Sequence, residues 1–198
     1  MILNAVKWKL QGNPVDGQYE VIYADPPWSY NDHGCNGAAA AHYSTMSTAD
    51  IGKIPVGQLA AKDAVLFMWA TYPKLPDALD LIKAWGFTFK SIAFQWVKIY
   101  PSGQPRFGLG RWTRGNTEPC LLAVKGKPKR LDNAVSQLIF SEELIVAPIG
   151  RHSAKPPETR ERILRLMGDL PAVELFAREK VPNWDCFGDQ AEGSLTYE

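Results

Sequence analysis

The sequence predicts an α/β protein built on a mostly parallel sheet with one antiparallel hairpin. Short β-favouring apolar runs recur along the chain, and amphipathic helical stripes fall between several of them. One run, Val21-Ile22-Tyr23-Ala24, leads directly into Asp25-Pro26-Pro27-Trp28. Such an unbroken apolar run suits a strand covered on both faces of a parallel sheet. Neither proline can donate to a ladder, so the strand stops there and the acid sits on a stiffened loop at its carboxyl end. Open α/β sheets place their ligands at that end.

The other elements follow in order. Ala5–Leu10 reads as a short strand before a Gly12-Asn13-Pro14 turn, and Ser29–Ser47 as a long Gly- and Ala-rich loop beside the acid. Ser47-Thr48-Ala49-Asp50 is a helix start with Ser47 as cap. Ala64–Ala70 is a second buried strand. Pro76–Trp85 is a helix with Leu79 and Ile82 inward, stopped by Gly86. Phe87–Ile99 and Glu118–Lys125 read as an antiparallel hairpin interrupted by a long insertion, Tyr100–Thr117. The stripe Thr159, Ile163, Leu166 and Met167 marks a helix over Pro156–Met167, ended by Gly168. Ala172–Ala177 and Trp184–Phe187 are further strands, and the polar tail Ala191–Glu198 is expected to be mobile.

Length and composition narrow the function. A chain of 198 residues fits one domain, residues 1–198, with a proper core. A formal charge of +1 and a pI near 7.7 give no global basic footprint, so nucleic-acid contacts must come from local clusters. Arg106, Arg111, Trp112 and Arg114 form one such cluster inside the 100–117 insertion, and Lys125–Arg130 adds more cations. Three scattered cysteines argue for a reducing compartment, and no Cys or His spacing suits zinc, so no metal is expected. Neither a signal peptide nor a membrane-length apolar run is legible, which points to a cytoplasmic protein.

The acid–proline–proline–aromatic loop suits alkylation of an amino group conjugated to a ring. The exocyclic nitrogen of adenine is a poor nucleophile because its lone pair is delocalised into the base. Acceptors on its two N–H groups, here the Asp25 carboxylate and the Pro26 carbonyl, favour a more tetrahedral nitrogen and act where positive charge develops. Trp28 would offer a stacking face to a base that has left its helix.

Ala24-Asp25-Pro26-Pro27-Trp28 resembles the signature of the MT-A-type N6-adenine methyltransferases, relatives of the catalytic subunit of the mRNA adenosine methyltransferase. The resemblance runs from about Tyr19 to Gln190. It takes in His42-Tyr43-Ser44-Thr45-Met46-Ser47, Leu66-Phe67-Met68-Trp69, Trp96-Val97-Lys98 and Gly108-Leu109-Gly110-Arg111-Trp112. Further on it includes Arg151-His152-Ser153 with Lys155-Pro156, Glu174-Leu175-Phe176-Ala177-Arg178 and Asn183-Trp184-Asp185. It implies a Rossmann-like fold with permuted motif order, catalytic strand first and cofactor strand last, and S-adenosylmethionine as cofactor. It implies catalytic roles for Asp25, Pro26, Pro27 and Trp28. Asp25, Lys155, His152, Phe176, Asn183, Asp189 and Gln190 would contact the cofactor, Asp189 through the ribose hydroxyls. Tyr43, Trp69 and Trp96 would contact the substrate together with Arg106, Arg111 and Arg114. The chain lacks a long N-terminal extension, like the compact prokaryotic and phage members, so DNA is the expected polymer. RNA, or a non-catalytic nucleic-acid-binding partner of the kind that serves within heterodimers, are the alternatives, and a homodimer or heterodimer is the expected assembly. The chain departs from the family at Thr117 before Glu118, at Ala154 before Lys155, and at Asp189 in place of the usual asparagine.

Overall fold

A computed structural model describes residues 7–30, 45–108, 112–142, 154–189, 191 and 195–197. The strands are β1 (Trp8–Leu10), β2 (Asn13–Val15), β3 (Tyr19–Ala24), β4 (Ala60–Trp69) and β5 (Thr88–Ile99). They continue with β6 (Thr117–Lys125), β7 (Leu138–Glu142), β8 (Ala172–Leu175), β9 (Trp184–Phe187) and β10 (Thr196–Tyr197). The helices are α1 (Thr48–Lys53), α2 (Val56–Leu59), α3 (Leu75–Ala84) and α4 (Glu158–Met167).

Seven strands form one sheet in the order β7-β5-β6-β4-β3-β8-β9. All its ladders are parallel except the two that β6 makes, with β4 and with β5. The expected hairpin is therefore present, and its second strand is the one reversed strand of an otherwise parallel sheet. β3 lies between β4 and β8, with Ala24 opposite Met68 on one side and Leu175 on the other. Tyr19, Val21, Ile22, Tyr23 and Ala24 are all buried, as a strand covered on both faces requires. Ile22 and Ala24 face a core shared with Ile51, Leu81 and Ile82 from α1 and α3. Val21 and Tyr23 face the opposite core, where Ile163 and Met167 of α4 pack with Phe67, Trp69 and Phe94.

Local chemistry sets the helix ends. The Ser47 hydroxyl accepts the Asp50 N–H at 3.1 Å, capping α1. After α3, Gly86 has φ +82° while Phe87 N–H reaches the Ile82 carbonyl and Gly86 N–H that of Lys83, a Schellman stop. The buried face of α3 is Ala78, Leu81 and Ile82, one position round from the expected Leu79 stripe, which is half-buried. Among the described residues no helix is long and apolar enough to cross a membrane.

Two expectations at the chain's ends need correction. The first reversal occurs at Gln11-Gly12, both with positive φ, and Asn13 and Pro14 already belong to β2. Two left-handed residues make the tight reversal that joins twisted strands; the Asn-Pro pair pointed two residues too late. The tail is not loose where it is described. Leu195 is 1% exposed, and Thr196–Tyr197 pairs with β1, giving a second, antiparallel sheet β10-β1-β2. Leu195 and Tyr197 supply apolar surface that the tail's overall polarity concealed.

One glycine holds the sheet's end together. A Cβ on Gly188 would collide with the backbone of Ala177, because β8 and β9 run close where Ala177 N–H meets the Phe187 carbonyl. Gly188→Ala should cost about 1–3 kcal/mol as an overpacked site, lowering the melting temperature by about 2–10 °C in a chain of this size. Gly115→Ala, where a Cβ meets nothing within 4 Å, is the control. Circular-dichroism melts showing equal midpoints for both variants would mean that the close approach carries no constraint.

Candidate active site

The chain leaves β3 with the Asp25 N–H still directed at the Leu175 carbonyl, 3.5 Å away, so the acid starts as a continuation of the β8 ladder. The two prolines then force a turn in which the Trp28 N–H donates to the Pro26 carbonyl at 2.9 Å. Met46 N–H bonds the Pro27 carbonyl and Ser29 N–H the Met46 carbonyl, which pins the far side of the loop. The Trp28 indole N–H reaches the Trp69 carbonyl at 3.3 Å, tying the loop to the end of β4.

From β3 the chain crosses to β4 on one side, whereas from β8 it passes to β9 on the other. The connections diverge there, and such switch points open crevices at the carboxyl ends of strands. A cavity of about 450 Å³ occupies that place. Its two halves differ in chemistry. One is lined by Asp25, Pro26, Pro27, Trp28, Tyr30, Thr71, Glu118 and Lys155; the other by Phe176, Arg178, Phe187, Gly188, Asp189 and Leu195–Tyr197.

Charge in the first half is arranged as an alternating row. The Lys155 ammonium, 9% exposed, lies 3.0 Å from each Asp25 oxygen and 3.4 Å from Glu118 Oε2. Glu118 Oε1 accepts from Lys98 at 2.6 Å. Lys98 also stands 4.7 Å over the Trp96 ring, and Lys155 5.7 Å over that of Trp69. Burial pushes the Glu118 carboxyl up, but Lys155 and Lys98 together outweigh it and hold the group below its ordinary range. Glu118 is therefore an anion at neutral pH and shares Lys155 with Asp25.

The second half is aromatic, with the Arg178 cation and the Asp189 carboxylate on the same wall. Phe176 has φ +62°, a strained state for a bulky residue, at the point where β8 ends. Asp189 is exposed and follows Gly188, whose lack of a side chain lets the two strand ends approach.

Asp25, Pro26, Pro27, Trp28, Lys155, Phe176, Asp189 and Trp69 all come to the cavity wall. Trp28 is only 4% exposed, and Trp69 not at all, its indole N–H held by the Tyr23 hydroxyl at 2.7 Å. Both brace the loop more than they offer an open stacking face. Trp96, expected at the substrate, is instead fully buried in the core, donates its indole N–H to the Ser141 carbonyl and does not line the cavity. Asn183 is also absent from the wall; it is exposed in the turn before β9, with φ +64°. Arg106 and Arg114 lie off the wall on the β5–β6 insertion, which also carries Trp112, 99% exposed. Tyr43, Arg111, His152 and Gln190 fall outside the described residues.

Sequence reasoning missed Glu118, Lys98, Tyr30 and Leu195–Tyr197. An acid at the head of the apolar run Pro119–Val124 was a usable signal, since a carboxylate entering a buried strand needs cations to meet it. For the others no local pattern stands out.

The MT-A70 family model matches residues 19–190. Over 192 residues the chain is 31% identical to the Type II methyltransferase M.MunI of a Mycoplasma species, covering 86% of this chain and 77% of that protein. It is 30% identical to the N(6)-adenosine-methyltransferase MT-A70-like protein of Drosophila melanogaster, over 89% of this chain and 28% of that protein. To the human N(6)-adenosine-methyltransferase catalytic subunit METTL3 it is 28% identical, over 89% and 29%. The chain thus spans less than a third of the two adenosine-methyltransferase relatives. A match that begins at the first residue of β3 and ends just past Asp189 takes in Asp25, Glu118, Lys155 and Phe176 on the way, and by it the chain belongs to the MT-A70 family.

Proposed function

We propose that this protein transfers a methyl group from S-adenosylmethionine to the N6 amino group of adenine in DNA, as one methyltransferase domain working in the cytoplasm. The observation that carries the reading is the Asp25 carboxylate, fixed by Lys155 at the head of a two-part cavity with the Pro26 carbonyl beside it.

Asp25 and the Pro26 carbonyl accept the two amino hydrogens of the target base and draw its lone pair out of conjugation. The Pro26 oxygen already takes the Trp28 N–H, and a carbonyl keeps a second lone pair for the substrate. Lys155 holds Asp25 in place, and Glu118 supports Lys155 from behind. Tyr30, with its hydroxyl 2.6 Å from the Thr71 hydroxyl, and Trp28 flank the same half. The amino nitrogen becomes acidic on methylation and loses its proton afterwards, so no strong base is needed first.

The other half fits a nucleoside cofactor: aromatic walls at Phe176 and Phe187 suit a purine, and the Asp189 carboxylate suits vicinal hydroxyls. When bound, S-adenosylmethionine supplies an electrophilic methyl group on a sulfonium. DNA is the favoured polymer because the chain covers 77% of a Type II methyltransferase but under a third of the adenosine enzymes. RNA is the second reading, favoured by those same adenosine-named relatives. Residues 100–117 are proposed as the recognition loop, through Arg106, Arg111, Arg114, Trp112 and the exposed Phe107.

Transfer from deuterium-labelled cofactor to DNA and RNA oligonucleotides, followed by nucleoside mass spectrometry, tests the activity. Label is expected in N6-methyl-2′-deoxyadenosine. Label in RNA alone would move the substrate to the second reading. A protein that binds cofactor and labels neither polymer would be a non-catalytic binder.

If the loop arginines grip phosphates, Arg106→Ala and Arg114→Ala should each weaken DNA binding and flatten its salt dependence by about one contact. Cofactor affinity should not move. Unchanged salt slopes in fluorescence-anisotropy titrations would leave both as surface charge.

Glu118→Gln should destabilise the fold by about 3–5 kcal/mol at neutral pH, because it breaks a buried pair and leaves Lys155 and Lys98 facing a neutral amide. Glu118 is held below its ordinary value, so its charged contribution is complete above the unfolded range and is lost as pH falls through the lower folded value. The melting-temperature gap to wild type should therefore close below about pH 4. A gap independent of pH would mean that the carboxylate's charge is not what stabilises the row.

A further inference from the structure

Part of the cavity wall comes from outside the segment that carries the family match. Leu195, Thr196 and Tyr197 line the cavity, and all three follow residue 190. They are placed there by two anchors. Leu195 is buried, its N–H on the Cys186 carbonyl of β9 at 2.6 Å, and β10 pairs with β1 so that Tyr197 stands opposite Trp8. Trp8 is fully buried, with its indole N–H on the Pro55 carbonyl at 2.9 Å. The Tyr197 ring rests 4.9 Å from the Trp8 ring and 5.7 Å from that of Phe187, which in turn lies 6.3 Å from Phe176.

Neighbours of Tyr197 are shut away from solvent: Leu195 is 1% exposed and Trp8 0%. Tyr197 keeps 38% of its surface open while sharing a wall with Phe176, Phe187 and Asp189. A rigidly backed aromatic ring that is partly exposed and lines a cavity also carrying a carboxylate is suited to a flat heterocycle joined to a sugar.

We propose that Tyr197 is a cofactor-binding residue whose ring meets the purine of the nucleoside cofactor, so that the small β10-β1-β2 sheet completes the cofactor half of the cavity. The inference rests on the cofactor reading above and adds to it a wall that the family segment does not contain. Stacking of a base on one aromatic ring corresponds to roughly a tenfold change in affinity.

The test is calorimetric titration of the whole chain with S-adenosylhomocysteine and with 5′-methylthioadenosine, which keeps the purine nucleoside and lacks the amino-acid tail. Tyr197→Ala should weaken both ligands by about the same factor, roughly tenfold. Tyr197→Phe should bind within about twofold of wild type, since it keeps the ring face. Tyr197→Leu fills the space beside Trp8 and Phe187 without an aromatic face, and keeps the inference at risk if the alanine variant melts early. Leucine is expected to bind as weakly as alanine. Wild-type affinity in Tyr197→Leu would show that the residue only packs, and would overturn the proposal while leaving the cofactor reading intact. A wild-type chain that binds neither ligand would overturn the cofactor reading itself, and the proposal with it.

Discussion

Lys155 is an ammonium taken almost out of water and shared between two carboxylates that reach it from different strands. Burying a charge costs several kcal/mol unless partners meet it with good geometry, and here Asp25 and Glu118 both do. The pair fixes the acid at the end of β3 without blocking the cavity, since Lys155 approaches from α4's leading edge, just before Pro156-Pro157. Removing Lys155 would leave two anions at one wall. Removing Glu118 would leave two cations behind it. The full row of Lys98, Glu118, Lys155 and Asp25 alternates charge from β5 to the cavity.

The sheet's one reversed strand makes that row reachable. β6 runs against both neighbours, so its first residues, Thr117 and Glu118, lie beside the carboxyl ends of β4 and β5. A parallel strand in that slot would present Lys125 there. The same reversal places the 100–117 insertion at the cavity's end of the sheet, where a recognition loop would be of use to a polymer substrate. On the other side of β3, the ends of β8 and β9 approach closely enough to need Gly188, and bring Phe176 and Asp189 to the second half. One topological switch point thus sets an acid and an aromatic-walled recess next to each other.

Much of this was legible. The buried run ending in Asp25-Pro26-Pro27-Trp28 pointed to the end of the sheet where the cavity lies, because a strand covered on both faces and stopped by two prolines leaves few places for the acid to go. The stripe at Thr159, Ile163 and Met167 and the hairpin around the insertion read correctly for the same reason, strong periodicity or strong strand propensity. What did not read were distances across the fold. Nothing near Glu118 says that Lys155 will meet it, and nothing near Trp96 says that its ring faces the core rather than the substrate. Leu195 and the β10 strand were hidden because three residues with two apolar side chains carry no periodic signal, and their partner Trp8 is nearly the whole chain away. Turn chemistry misled at Asn13-Pro14, where two positive-φ residues just upstream had already reversed the chain.

The central claim is that Asp25 acts on the target's amino group. Asp25→Asn preserves shape while replacing an acceptor pair by an amide that carries its own donors. Single-turnover methylation of an adenine-containing duplex is the direct measurement, with 2-aminopurine fluorescence reporting base extrusion in parallel. The folded variant should extrude the base as wild type does and methylate it about a hundredfold more slowly or worse, a loss of a few kcal/mol in transition-state stabilisation. A folded Asp25→Asn protein that methylates at close to the wild-type rate would contradict the account and reduce Asp25 to a turn residue.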